Sequence, residues 1–308
     1  MGGGTGHSVV LSGLKDYEVD LTAIVAVTDD GGSSGRLRNQ FGAIPPGDIR
    51  QCLSALAPIE IAPVVRKLFE YRFPDDGELN GHSFGNLFLV ALERITGSLP
   101  SAIETAGLIL GTTGRVLPVS LENTHLQAFL DDGTHIKGES LIDLRGYQPG
   151  AAIVQVSLDP PVAAYPPALQ SIKDADLLVL GPGDLYTSLL PVILTGGVTD
   201  SICTRQGLLV YVCNLMTKPG ETDGFDAAGF LNEIHRYLKG PVDVILANSD
   251  PIPENLLSSY AAAGAYPVGI DAQACQDLGV EVITAPMLAE GELIRHDPKK
   301  LAEALIKL

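Results

Sequence analysis

The chain has 308 residues, 45% of them hydrophobic, with 20 Lys and Arg against 37 Asp and Glu and a formal net charge of −17. That composition supports a large α/β core, excludes a nucleic-acid-binding face, which needs clustered Lys and Arg, and contains no apolar run of the ~18 residues a membrane span requires. The first residues lack the basic and apolar regions of a secretory signal, and the scattered Cys52, Cys203, Cys213 and Cys275 form neither CxxC pairs nor zinc spacing, which points to reduced thiols in the cytoplasm.

The chain opens with GGGTG (2–6), followed by Ser8. A turn of this kind normally leaves a buried strand, enters a helix and aims backbone N–H groups at a phosphate. Only Met1 precedes it, so the expectation is that a first strand is missing before Gly2 and that the natural protein is longer by about six to ten residues. The turn lacks the last glycine of GxGxxG and the GK[ST] of a P-loop, so it reads as close backbone approach to an anion or as a tight strand–helix turn. Gly2 does not mark myristoylation, because Gly6 stands where that motif wants Ser or Thr.

LTAIVAVT (21–28) predicts a strand that runs into TDDGGSSGRLR (28–38). Gly31, Gly32, Ser33 and Ser34 suit an N–H nest, Arg36 and Arg38 can reach phosphate oxygens, and Asp29 and Asp30 can hold a ribose hydroxyl or a hydrated Mg²⁺. In IPPGDIRQC (44–52), Asp48 suits a helix N-cap; Arg50 in the first turn opposes the helix dipole unless a ligand or a carboxylate lies nearby. Helix-period apolar residues follow over 49–58 and 62–73. GHSFGN (81–86) opens a helix over about 84–96, where His82 and Asn86 serve either binding and acid–base work or the core and cap. A further helix is expected over 99–110. Residues 115–139 alternate about Asp132 and Gly133 and predict a β-hairpin insertion.

The α/β rhythm returns with strands at 176–185, 207–215, 242–248 and 280–286, a helix over about 225–239 and a closing helix over 298–308. Strands alternating with helices imply a mostly parallel sheet, and the near-continuous Val/Ile/Leu runs suit strands buried on both faces. Ligands of such sheets sit beyond the carboxyl ends of the strands. Two more polar loops fall there: GPGDLYTS (181–188), with Gly181 and Gly183, and CNLMTKPGETDGF (213–225), with Asn214 and Thr217. Arg295, in LIRHDP (293–298), is surface charge by default.

GGGTG, DDGGSSGRLR, PPGDIR, GHSFGN, GPGDLYTS and CNLMTKPGETDG, in this order, resemble the YvcK-like gluconeogenesis factors, a branch of the wider family that contains the 2-phospho-L-lactate transferase CofD. The resemblance covers nearly all of 1–308 as one domain. It implies a Rossmann-like fold and a cytoplasmic protein that binds a UDP-sugar such as UDP-N-acetylglucosamine. The implied role is regulatory, in envelope synthesis and cell shape during gluconeogenic growth, with self-association and envelope-synthesis proteins as partners. The alternative is a CofD-like transferase moving a phospholactyl group from a guanosine diphosphate carrier to a deazaflavin with Mg²⁺; an NAD(P)-dependent oxidoreductase is disfavoured by the missing third glycine. By resemblance, nucleotide contact is carried to Gly3, Gly4, Thr5, Gly6 and the 29–38 loop, then to Asn214 and Thr217, and UDP-sugar contact to Arg295. No catalytic residue and no resident metal ligand is assigned.

Overall fold

The computed structural model of the chain describes residues 1–58, 63–74, 77–147 and 150–308. The first apolar run forms β1 (Thr22–Val25), and β2 (Arg115–Pro118) pairs with it in parallel, Ile24 opposite Leu117. β3 (His125–Leu130), β4 (His135–Lys137) and β5 (Ile153–Asp159) make an antiparallel sheet in the order β4-β3-β5. β6 (Leu177–Leu180), β7 (Leu208–Val212), β8 (Val244–Asn248) and β9 (Glu281–Ala285) form a parallel sheet in sequence order.

Met1 and Gly2 lie between the two parallel sheets. The Gly2 N–H donates to the Ile24 carbonyl at 3.1 Å, and the Gly2 carbonyl accepts from the Ala26 N–H at 3.0 Å. On the other side the Met1 carbonyl accepts from the Gly181 N–H at 3.1 Å. The glycine turn therefore starts from the middle of the parallel array, flanked by β1 and β6.

Alternation along β7 shows why its sequence is apolar throughout. Val210 and Val212 join a core with Val10, Leu14, Leu301 and Leu305, from the helices Gly4–Leu14 and Pro298–Leu305. Leu209 and Tyr211 face the larger core, with Phe230 and Ile234 of the helix Ala227–Leu238. A strand covered on both faces has no position at which a polar side chain is free of cost.

The expected helices at 84–96 and 99–110 are Phe84–Thr96 and Leu99–Leu110, and that at 49–58 is Gly47–Leu56. The run at 62–73 is Pro63–Glu70, with residue 62 outside the described residues. The hairpin expectation needs correction. Arg115–Pro118 belongs to the parallel sheet as the neighbour of β1. The hairpin proper is β3–β4, closed by a turn in which the Thr134 N–H donates to Asp132 Oδ1 at 2.8 Å. β5, which completes that sheet, falls in a stretch for which the pattern had suggested no element.

Candidate functional site

The helix Gly4–Leu14 has no side-chain cap at Gly3 and no acid in its first turn; Asp48, from elsewhere in the chain, takes the Gly4 N–H, and the N–H groups that follow carry the partial positive charge of the helix start. Gly4 adopts φ +66°, a conformation that favours glycine. Gly6 is required for a different reason: a Cβ there would fall on the Pro182 carbonyl, so the first turn of this helix can touch the turn after β6 only without a side chain. Gly3–Gly6, Pro182–Asp184 with Ser188, Asn214–Met216 and Ile294–His296 together line a cleft of about 280 Å³. Asn214 ties two of these walls, accepting from the Tyr211 hydroxyl at 2.8 Å and donating to the Gly183 carbonyl at 2.9 Å. The cleft sits beyond the carboxyl ends of β6 and β7, where open parallel sheets bind ligands.

Two side chains on its far wall stand out. Arg295 is exposed, and its guanidinium has no hydrogen bond or ion pair among the described residues. His296 is buried, hydrogen-bonds the Cys213 backbone, and leaves Nε2 without a partner. Burial pulls its pKa down to about 4, so the ring is neutral near pH 7. With the other ring nitrogen engaged, that tautomer leaves Nε2 as a buried acceptor without a partner, in a residue that lines the cleft. Residue type and spacing gave His296 no role; only the missing partner of a buried ring nitrogen reveals it.

The 29–38 loop forms a second cluster behind Asp48. Asp48 accepts from the Gly4 N–H, and burial together with nearby Asp29 raises its pKa to about 7. Asp29 accepts from the Gly31 N–H at 2.9 Å and is itself raised by burial, against the lowering effect of a Ser34 hydrogen bond. Asp30 accepts from Ser140 N at 2.8 Å, Ser140 Oγ at 2.7 Å and Glu139 N at 3.2 Å. It thereby holds the start of the short helix Glu139–Asp143. Glu139, absent from the sequence-based candidates, is pushed up to about 9 by burial and then by Asp29, Asp143, Asp48 and Asp30. Ser33 Oγ lies 3.1 Å from His82 Nδ1 and accepts from the Ser83 N–H at 3.3 Å; Arg50 Nε donates to Asn86 Oδ1 at 3.0 Å. Burial, then Arg36, lowers the His82 pKa.

Several expected phosphate ligands are placed elsewhere. Arg36 donates to the Asn80 carbonyl and Arg38 to the Thr124 carbonyl. Neither lines the glycine-turn cleft; their charges fasten the loop to neighbouring segments. Gly32 (φ +43°), Ser33 and Ser34 start the helix Gly32–Phe41, away from that cleft. Thr217 is buried and braces its loop, its Oγ1 accepting from the Tyr266 N–H at 2.9 Å. Ser8 donates back to the Thr5 carbonyl at 2.7 Å, and Gly181 sits behind the cleft, bonded to Met1. Gly3, Gly4, Thr5, Gly6, Gly183, Asn214 and Arg295 are brought together around one space. For Mg²⁺ the fit is poor: Asp30 is engaged by helix N–H groups, and among the described residues no three His, Cys, Asp or Glu converge on a metal position.

Lys218 is a further residue that the motifs did not single out. It bonds Asp143 of the short helix, Asp184 of the cleft wall at 2.7 Å and Glu221 of its own loop at 2.8 Å. Burial alone would lower its pKa; Glu221, Asp184 and Asp143 outweigh that and hold it above the usual lysine range.

The sequence profile of the family described as 2-phospho-L-lactate transferase CofD matches residues 1–288. The gluconeogenesis factor of Bacillus subtilis (strain 168) is 41% identical over 310 residues, covering 100% of this chain and 96% of that protein. The gluconeogenesis factor of Listeria monocytogenes is 42% identical over 311 residues, covering 100% and 94%. A crystal structure of a member of the UPF0052 family from Bacillus halodurans superposes with a TM-score of 0.93 at 41% identity, covering 99% of this chain and 97% of that one.

Proposed function

The chain belongs to the CofD family, with gluconeogenesis factors as relatives along its whole length, and from that premise we propose that it binds a UDP-sugar of the UDP-N-acetylglucosamine class in the glycine-turn cleft and acts as a cytoplasmic regulatory protein. The observation that carries this reading is the cleft itself: the glycine-built start of a helix and Arg295, a cation with no partner of its own among the described residues, line one space. Backbone N–H groups and a guanidinium around one space suit a diphosphate. The role we assign takes support of gluconeogenic growth from the name of the relatives, and envelope synthesis and cell shape from the resemblance of the motifs alone.

A second reading is favoured by one feature. Asp48 adjoins the glycine turn as a carboxylate that titrates near neutrality, a group suited to moving a proton during transfer from a bound nucleotide. It supports a CofD-like phospholactyl transferase acting from a guanosine diphosphate carrier onto a deazaflavin. Among the described residues no three His, Cys, Asp or Glu are arranged to hold a metal for that transfer.

Calorimetric titration with UDP-N-acetylglucosamine and with GDP, each with and without Mg²⁺, separates the readings. The expected result is metal-independent binding of the UDP-sugar with no turnover on long incubation. Arg295→Ala should weaken that binding by about ten-fold, roughly 1.4 kcal/mol. Preferential GDP binding that depends on Mg²⁺ would instead favour the transferase.

A further inference from the structure

The helix Glu139–Asp143 is five residues long, too short to hold itself in water, so its order depends on what grips it. Its N-cap, Gly138, offers no side chain, and Ile142 is its one buried residue. At its start Asp30 takes the N–H groups of Glu139 and Ser140; at its end Lys218 takes Asp143. The helix also packs against the turn Leu185–Leu189, whose N-cap is Asp184. The ammonium that grips Asp143 holds Asp184 at 2.7 Å and Glu221 at 2.8 Å as well. The Glu221 side chain is wholly buried and has this ammonium as its one partner among the described residues. Lys218 therefore has a fixed anchor, because its departure would leave a bare carboxylate out of water.

Asp184 lines the glycine-turn cleft, and its carboxylate is 42% exposed. Its neighbour Gly183 adjoins the glycine turn itself: a Cβ at Gly6 would come within 3.2 Å of the Gly183 nitrogen. An anion held at Gly3–Gly6 thus has Asp184 beside it, and that carboxylate is adverse unless a cation neutralises it. Lys218 is the cation bonded to it. We propose that Lys218 couples the cleft to the insertion: a diphosphate at the glycine turn tightens the Lys218–Asp184 pair, and, because the same ammonium holds Asp143, it also orders the helix Glu139–Asp143. The coupling rests on the nucleotide-sugar reading above and adds regulation to it. Its cause is charge. A bound diphosphate raises the cost of every arrangement in which Lys218 has swung away from Asp184, and so shifts the population toward the arrangement in which all three acids share one ammonium. The effect is reciprocal: whatever draws Lys218 off Asp184 weakens the ligand.

The test follows the full chain by amide hydrogen exchange over 139–143 and by calorimetry, with UDP-N-acetylglucosamine as the probe. In the wild type the ligand should slow that exchange by about three-fold or more. Asp143→Asn cuts the link at a partly exposed carboxylate and leaves Lys218 on Asp184 and Glu221. Its affinity for the ligand should stay within about two-fold of the wild type, while the ligand no longer slows exchange over 139–143. Lys218→Met should lose the slowing and also weaken the ligand by about ten-fold, since Asp184 then faces the diphosphate without its cation. A wild type that binds the ligand with unchanged exchange over 139–143, or an Asp143→Asn variant in which the ligand slows exchange as it does in the wild type, would overturn the coupling and leave the nucleotide-sugar reading standing. A wild type that does not bind UDP-N-acetylglucosamine would overturn that reading, and the coupling with it.

Discussion

Asp48 shows how one side chain can be both well positioned and costly. Its carboxylate is drawn out of water between the glycine turn and Asp29, and its pKa rises from 3.8 to about 7. Between those values the native chain holds a proton that the unfolded chain has released. Stability from this group therefore falls as pH rises through that window, by up to roughly 1.4 kcal/mol per pH unit for one proton. Asp48→Asn should remove the fall, so the variant gains on the wild type between pH 4 and 7. Urea unfolding free energies at pH 5 and pH 8 check this, and parallel profiles for the two proteins would contradict it. The lesson for reading the sequence lies beside it. Glycines show a close approach by their own type, and within GGGTG it is Gly6 that meets the Pro182 carbonyl. Arginines do not show what they pair with: Arg36 and Arg38 look like phosphate ligands in a string of letters, yet each reaches a backbone carbonyl far along the chain.

At the scale of elements, the insertion around β3–β5 is held to the glycine-turn half by charges at both ends of one short helix. Asp30 takes the N–H groups at the start of Glu139–Asp143, and Lys218 takes Asp143 at its end while also holding Asp184 of the cleft wall. Lys218→Met should loosen that helix, seen as faster amide hydrogen exchange over 139–143 with the exchange of Phe84–Thr96 unchanged, and Lys218→Arg should restore much of the protection. Unaltered exchange in Lys218→Met would show that packing alone, around buried Ile142, holds the insertion. Most elements could be read because their burial has a single period. The helix Ala227–Leu238 buries Ala227, Phe230, Leu231, Ile234 and Leu238, and its N-cap Asp226 accepts from Gly229 N at 2.7 Å. The hairpin was drawn too wide for the opposite reason. RVLP has strand character, but nothing in four residues says whether the partner is the next strand or β1, which lies far earlier in the chain. Tertiary pairing decides such short runs.

For the whole molecule, the rhythm of strands and helices was enough to place a parallel sheet, while the charge of −17 opposes an anionic ligand at the edge where the candidate cleft lies. The two facts act over different distances. The acid excess is spread over the surface and repels an approaching diphosphate from tens of ångströms away. Arg295 and the N–H groups of the glycine turn act only at contact. Salt separates them: the screening length falls from about 30 Å at 0.01 M to about 10 Å at 0.1 M, which removes the distant repulsion and leaves contacts of a few ångströms largely intact. The association rate of UDP-N-acetylglucosamine should therefore rise as salt increases over that range, with a dissociation rate that changes little, the reverse of the trend for an anion entering a basic pocket. Stopped-flow measurement at several ionic strengths tests it directly. An association rate that falls with salt would mean that the cleft's local field reaches beyond its own mouth, and that Arg295 and the helix start outweigh the surrounding acids at the distance where encounter is decided.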